Sequence, residues 1–224
     1  MTNRKRIELT LEYFLQNNHD AETELRYGTP FELLVAVILS AQCTDKRVNM
    51  ITPALLANYP DAKAMSEAEP EEIFRFISSC SYPNNKAKHL SAMSRMLVSE
   101  FRGIVPSDPD ELQRLPGVGR KTAHVIASVV FSKQVLAVDT HVFRVSNRLG
   151  LVTNAKTPRS VEDQLSRHIP PELIYKAHHW LLLHGRYVCK ARTPLCGPCG
   201  LKEFCKYYQK SIRDSAGNEL KMKK

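Results

Sequence analysis

LPGVGRKTAHVIASVVFSKQVLAVDTHVFRV, residues Leu115 to Val145, holds two helix starts of different chemistry. The first is a Leu-Pro-Gly-Val-Gly turn, whose two glycines let backbone N–H groups stand bare at the head of a helix. Bare amides and the helix dipole together make an anion site. Beyond the turn, Val118, Thr122, Val125, Ile126, Val129 and Val130 recur at helical spacing and form one apolar face. Arg120 and His124 are expected on the opposite, solvent-side face. Lys121 falls at the margin, roughly 100° from the centre of the apolar stripe by helical-wheel arithmetic. A lysine at such a margin is partly desolvated, which frees its amine to act as a nucleophile. The second start is Val138-Asp139-Thr140-His141, which places Asp139 at a helix N-terminus, where the dipole favours a carboxylate.

The rest of the chain restricts what such a stretch can serve. With 224 residues there is length for one or two domains with a sizeable core, and 43% hydrophobic content is ordinary for a folded protein. A formal net charge of +9 favours a polyanionic partner. The opening MTNRKRIELTLEYF has charges but no continuous apolar core, so no secretory signal is read there. Leu33 to Leu39, the longest apolar run, is far too short to span a bilayer, which excludes a membrane-spanning role. A reducing intracellular setting, the cytoplasm and its nucleoid, is expected. Six cysteines in that setting point to metal or cluster binding rather than to a disulfide framework.

Helical periodicity dominates the sequence. Ile7, Leu9, Leu11, Phe14 and Leu15 mark a short amphipathic helix within residues 1–20. Pro30 launches FELLVAVILSAQ, which is apolar nearly all round and reads as a buried central helix. A polar break at Ser40 to Asp45 precedes another helix from about Lys46. Pro60, Pro70, Pro83, Pro106 and Pro109 then punctuate short helices, and residues 158–184 hold two more. Gln134 to Val138 is the best strand candidate and is very short. From Gln209 the chain is polar and basic, and a frayed tail is expected. His178, His179 and His184 lack the H-E-x-x-H spacing of a metal pair, and read as packing, capping or surface residues. The fold class is all-α.

Near the end stands Cys189-x6-Cys196-x2-Cys199-x5-Cys205. Four thiolates so close in sequence form a compact closed site. Spacing alone admits tetrahedral zinc or a [4Fe–4S] cluster, and chemistry alone puts zinc slightly ahead. Cys43 and Cys80 are left over, each read as a small buried hydrophobe.

LPGVGRKTA, VDTH and the four-cysteine spacing together resemble the endonuclease III family of DNA glycosylases, and the likeness runs from about residue 5 to 210. The resemblance implies a helix-hairpin-helix motif with Lys121 as catalytic lysine and Asp139 as catalytic aspartate. It reverses the order at the cysteine box: Cys189, Cys196, Cys199 and Cys205 become ligands of a [4Fe–4S] cluster with a structural role. It also implies two helical domains with a DNA-binding cleft between them. A helical barrel at 21–132 holds the hairpin, residues 1–20 and 133–210 form the cluster domain, and 211–224 form a flexible basic tail.

Activity follows from the same likeness. The expected enzyme removes oxidised pyrimidines from double-stranded DNA and cuts at abasic sites by β-elimination, acting as a monomer. Contacts to DNA are expected from Leu115, Gly117, Val118, Gly119 and Arg120 of the hairpin. Gln42, in LSAQCTD, matches the family's plug residue for the gap left by a flipped base. Tyr82, in Ser81-Tyr82-Pro83-Asn84-Asn85-Lys86-Ala87, stands where leucine is usual, and Ser81 where glycine is usual. His141 and Arg144 contact phosphate or support their helix. Lys190 and Arg192, on the loop between the first two cysteines, face phosphate, although Thr193 and Leu195 make that loop less basic than in other members. Two alternatives compete. A mismatch-specific adenine glycosylase lacks the lysine and needs an acid in the helix before the plug, where Val35 to Leu39 supply none. A non-catalytic DNA-binding module needs neither Lys121 nor Asp139.

Overall fold

The structure, a computed structural model, describes residues 1–222, with side chains through Asp214. The chain divides into two compact units, one of residues 23–133 and one combining residues 1–22 with those from 134 onward.

The 23–133 unit contains α2 (Pro30–Ser40), α3 (Asp45–Asn58), α4 (Ala62–Glu67), α5 (Pro70–Ile77), α6 (Pro83–Phe101), α7 (Pro109–Arg114) and α8 (Arg120–Phe131). Helix starts follow the chemistry of the sequence. Thr29 caps α2 by accepting from the Glu32 N–H at 3.2 Å, and Pro30 occupies the first helical position. Proline opens α5, α6 and α7 in the same way. Leu33 to Leu39 are all buried, so α2 is the central helix, packed against α3, α6 and α8. Each of these large side chains contributes roughly 1.5–3 kcal/mol by leaving water.

The other unit contains α1 (Asn3–Asn17), α9 (Thr140–Leu149), α10 (Pro158–Ser166), α11 (Ile174–Tyr187) and α12 (Lys206–Met222). Its core joins Ile7, Leu11 and Phe14 of α1 to Val142, Val145, Val161 and Trp180. Phe14 stacks on Trp180 at 5.8 Å, and the indole N–H donates to the Asn18 carbonyl at 2.7 Å. Helices α9 and α11 pack closely because residue 185 is glycine. A Cβ there would stand 2.8 Å from His141 Cβ.

Four expectations change. Gln134 to Val138 is irregular, and the described residues hold no strand. His124 is not on a solvent face: it is 3% exposed. Helix α8 packs against both α2 and α7, so its buried arc widens to include Ala123, His124, Ala127 and Ser128. On α1 the apolar stripe is narrower than read, and Leu15 is exposed. At the other end the backbone continues as α12 to Met222, where fraying was expected. The side chains after Asp214 and both residues 223–224 of the basic tail lie outside the described residues.

Candidate functional site

The hairpin joins α7 to α8 through residues 115–119. Leu115 and Val118 are buried, so their side chains anchor the turn and only their backbone is available outward. The Val118 N–H closes the turn on the Leu115 carbonyl at 3.0 Å. Gly117 has φ +82°, and a Cβ there would meet His89 Cβ at 2.9 Å, so only glycine fits. Gly119 is the N-cap of α8 and offers no side-chain acceptor, and no acid sits in the first turn. No side chain caps the first turn of α8, and an uncapped helix start is the arrangement that binds phosphate. Arg120 and Lys121 follow at once, both half-buried.

Asp139 is half-buried at the N-cap of α9, where its Oδ1 accepts from the Val142 N–H at 2.8 Å. The cap fixes the carboxylate against the start of its helix. Lys121 lies in one unit and Asp139 in the other. Two residues on, the His141 Nδ1 lies 3.2 Å from Arg144 Nη2. Arg144 donates to the Gly185 carbonyl at 2.8 Å and the Cys189 carbonyl at 3.1 Å, tying α9 to the end of α11.

Gln42 and Tyr82 sit on neighbouring loops of the 23–133 unit. Both have left-handed backbones, φ 53° and 54°, and Tyr82 is 61% exposed. Two residues that the sequence reading left without a role hold the loops together. Ser81 Oγ donates to the Gln42 carbonyl at 2.6 Å. Lys86, 5% exposed, sends its ammonium to the Leu39 and Ala41 carbonyls at 2.7 and 2.8 Å and to Ser81 Oγ at 3.4 Å. Burial holds the Lys86 amine below its ordinary value. The lysine therefore satisfies the orphan carbonyls at the end of α2, directly before the expected plug. Its place in Asn-x-Lys-Ala was the only signal of this role in the sequence.

Cys189, Cys196, Cys199 and Cys205 all line one pocket, with Leu149, Val188, Pro194 and Leu195 among its apolar walls. Among the described residues, no three His, Cys, Asp or Glu side chains close into single-ion geometry. Burial pushes the thiols of Cys199 and Cys205 up, which favours their protonated form until a metal centre supplies positive charge. Four soft donors around an apolar cavity fit an iron–sulfur cluster. Arg148, another residue the sequence reading missed, frames the loop. It donates to the Lys190 and Ala191 carbonyls, both at 2.7 Å, approaches Cys189 Sγ at 3.5 Å and lies over the Tyr207 ring. Lys190 and Arg192 are exposed on that loop. The histidines 178, 179 and 184 are all buried; His178 Nδ1 lies 2.8 Å from the Ala137 carbonyl.

Residues 35–171 match the family model of the HhH-GPD superfamily base excision DNA repair proteins. The endonuclease III of Rickettsia conorii is 48% identical over 88% of this chain and 93% of its own length. The Escherichia coli K12 endonuclease III is 43% identical over 94% of this chain and 99% of its own. Among solved structures, a trapped endonuclease III–DNA covalent intermediate superposes with a TM-score of 0.90 at 41% identity, covering 95% of this chain and all of that one.

Proposed function

Because the chain belongs to the HhH-GPD superfamily of base excision DNA repair proteins, in its endonuclease III family, we propose that Lys121 is the nucleophile of its glycosylase and lyase reactions. The protein is a base-excision-repair DNA glycosylase and abasic-site lyase. The observation that carries the assignment is the position of Lys121. It stands half-buried in the first turn of α8, two residues after the Gly119 cap, at a helix start that no side chain caps. The trapped covalent DNA intermediate of the 41%-identical relative supports a nucleophile that bonds covalently to DNA.

The mechanism follows. The phosphate next to a lesion sits on the amides of the Gly117–Gly119 turn, which aligns the sugar. The Lys121 amine attacks C1′ through its lone pair, and the damaged base leaves with the bonding electrons. Asp139 takes a proton from the amine or stabilises the positive charge developing on the sugar. The resulting Schiff base acidifies the 2′ hydrogen, and β-elimination breaks the strand on the 3′ side. Gln42 and Tyr82 fill the space left by the extruded nucleotide. Arg120, Lys190 and Arg192 add salt-dependent phosphate contacts. His141 acts with Arg144 in supporting α9.

Cys189, Cys196, Cys199 and Cys205 hold a [4Fe–4S] cluster. When bound it supplies structural cross-linking, fixing the loop that presents Lys190 and Arg192. The substrate class is double-stranded DNA carrying oxidised pyrimidines or abasic sites, met in the nucleoid by a monomer. No helix among the described residues is long and apolar enough to cross a membrane.

Borohydride trapping on a duplex with one thymine glycol, wild type beside Lys121→Ala, tests the proposal. A covalent adduct in wild type alone supports it. Trapping by Lys121→Ala, or binding without trapping by either protein on both thymine glycol and abasic duplexes, rejects it.

A further inference from the structure

Cys43 and Cys80 are separated by 37 positions, yet their sulfurs lie 3.6 Å apart. Neither belongs to the four-cysteine cavity. Cys43 directly follows Gln42 and Cys80 directly precedes Ser81, so the pair lies on the two loops that carry Gln42 and Tyr82. Their backbones are fixed locally: the Cys43 N–H donates to the Ser40 carbonyl at 3.0 Å, and the Cys80 N–H to the Ile77 carbonyl at 2.8 Å. The Ser81–Gln42 bond and the Lys86 ammonium hold the loops together beside them. A disulfide needs the sulfurs at about 2.05 Å, so closure from 3.6 Å asks for a shift of about 1.6 Å. Side-chain torsions and small backbone adjustments cover such a distance.

We propose that Cys43 and Cys80 form a reversible dithiol–disulfide site, oxidised by low-molecular-weight disulfides, that covalently ties the Gln42 loop to the Tyr82 loop. Cys43 is the entry point because it is half-buried, whereas Cys80 is 5% exposed. The Cys43 thiolate attacks one sulfur of the oxidant RSSR, and RS⁻ leaves and takes up a proton. The Cys80 thiolate then attacks Cys43 Sγ and expels the second RS⁻. Two thiols and RSSR become one protein disulfide and two RSH, with two electrons passed to the oxidant. Burial raises the Cys80 thiol to about 11 in the dithiol form, and attack by a buried thiol accelerates in mild alkali. Cation neighbours Lys86 and Arg47 oppose that shift without cancelling it. In a reducing compartment the dithiol is the resting form, and oxidising conditions populate the tie.

The tie itself is independent of the enzyme's substrate; its effect on lesion handling rests on the plug and wedge roles proposed above for Gln42 and Tyr82. The cluster-loaded protein is incubated without DNA in graded oxidised glutathione, free thiols are alkylated, and peptides are mapped by mass spectrometry. The expected result is a Cys43–Cys80 linked peptide, reversed by dithiothreitol and absent in Cys43→Ser and Cys80→Ser, with the cluster's visible absorbance retained. Only glutathione on Cys43, or both thiols free at full oxidant, overturns the site. Hydrogen exchange of the Gln42–Thr44 and Ser81–Tyr82 amides is measured on the same samples. Slowing by about tenfold or more supports the tie; unchanged exchange in linked protein overturns it. Loss of borohydride trapping in reduced protein, with the link still forming, would count against the glycosylase roles alone.

Discussion

Replacing Lys86 with methionine preserves the length of the side chain and removes its ammonium. Two short bonds to the Leu39 and Ala41 carbonyls disappear, along with the longer one to Ser81 Oγ. Bonds from a charged donor are worth about 1.5–3 kcal/mol each, so roughly 3–6 kcal/mol of bonding is removed. Burying an ammonium costs several kcal/mol that the variant no longer bears, as the lowered basicity of Lys86 shows. The net loss is about 2 kcal/mol, because orphaned carbonyls remain at the end of a buried helix. For a chain of this size that lowers Tm by roughly 4–8 °C. Thermal unfolding followed by circular dichroism at neutral pH reads it. The same variant frees the Gln42 loop, and binding to an abasic-analogue duplex weakens about tenfold, equivalent to about 1.4 kcal/mol. A Tm within about 1 °C of wild type would refute the assignment of Lys86 as the clamp on both loops.

Asp139→Asn keeps a good N-cap acceptor and should stay within about 0.5 kcal/mol of wild-type stability while single-turnover base removal falls at least about 100-fold. Asp139→Ala adds a stability loss of about 1 kcal/mol; equal activity in the Asp139→Asn variant and the wild type would leave Asp139 as a cap alone. Gly117→Ala forces a left-handed alanine against His89 and should cost roughly 1–3 kcal/mol, with weaker duplex binding; a denaturation midpoint unchanged from wild type contradicts this. Burial raises Cys80 from 9.0 to about 11, so between those values the folded state holds the proton that the unfolded state has lost. Stability therefore falls as pH rises through that window, by at most about 1.4 kcal/mol per pH unit. Lys86 acts with the opposite sign in the same range. Urea titrations of Cys80→Ala should show the smaller alkaline loss, and parallel curves would rule the thiol out.

Local chemistry was legible in the sequence. Thr29-Pro30, the glycines of residues 117 and 119, and Asp139 each start a helix through contacts within a few residues. The four cysteines were legible for the same reason, since three intervals of at most six residues force them into one loop. His124 was misread because one helix's periodicity shows a single buried face, and α8 is covered from two sides. Arg148, Lys86 and the Cys43–Cys80 pair were not assigned because their partners lie far away in sequence. Arg148 reaches carbonyls more than forty residues on, and Lys86 reaches back as far. No periodicity encodes such pairings; they follow from how helices already formed come to rest.

The unit built from two separated segments has a consequence for synthesis. Helix α1 carries Ile7, Leu11 and Phe14, whose partners include Trp180, and the Trp180–Asn18 bond spans 162 residues. At ~5–20 residues per second, a ribosome exposes that apolar face for roughly 8–32 s before its partner emerges. Residues 23–133 are complete earlier and close on their own core. The nascent chain therefore carries a finished unit beside an unpaired helix, a natural point for chaperone capture.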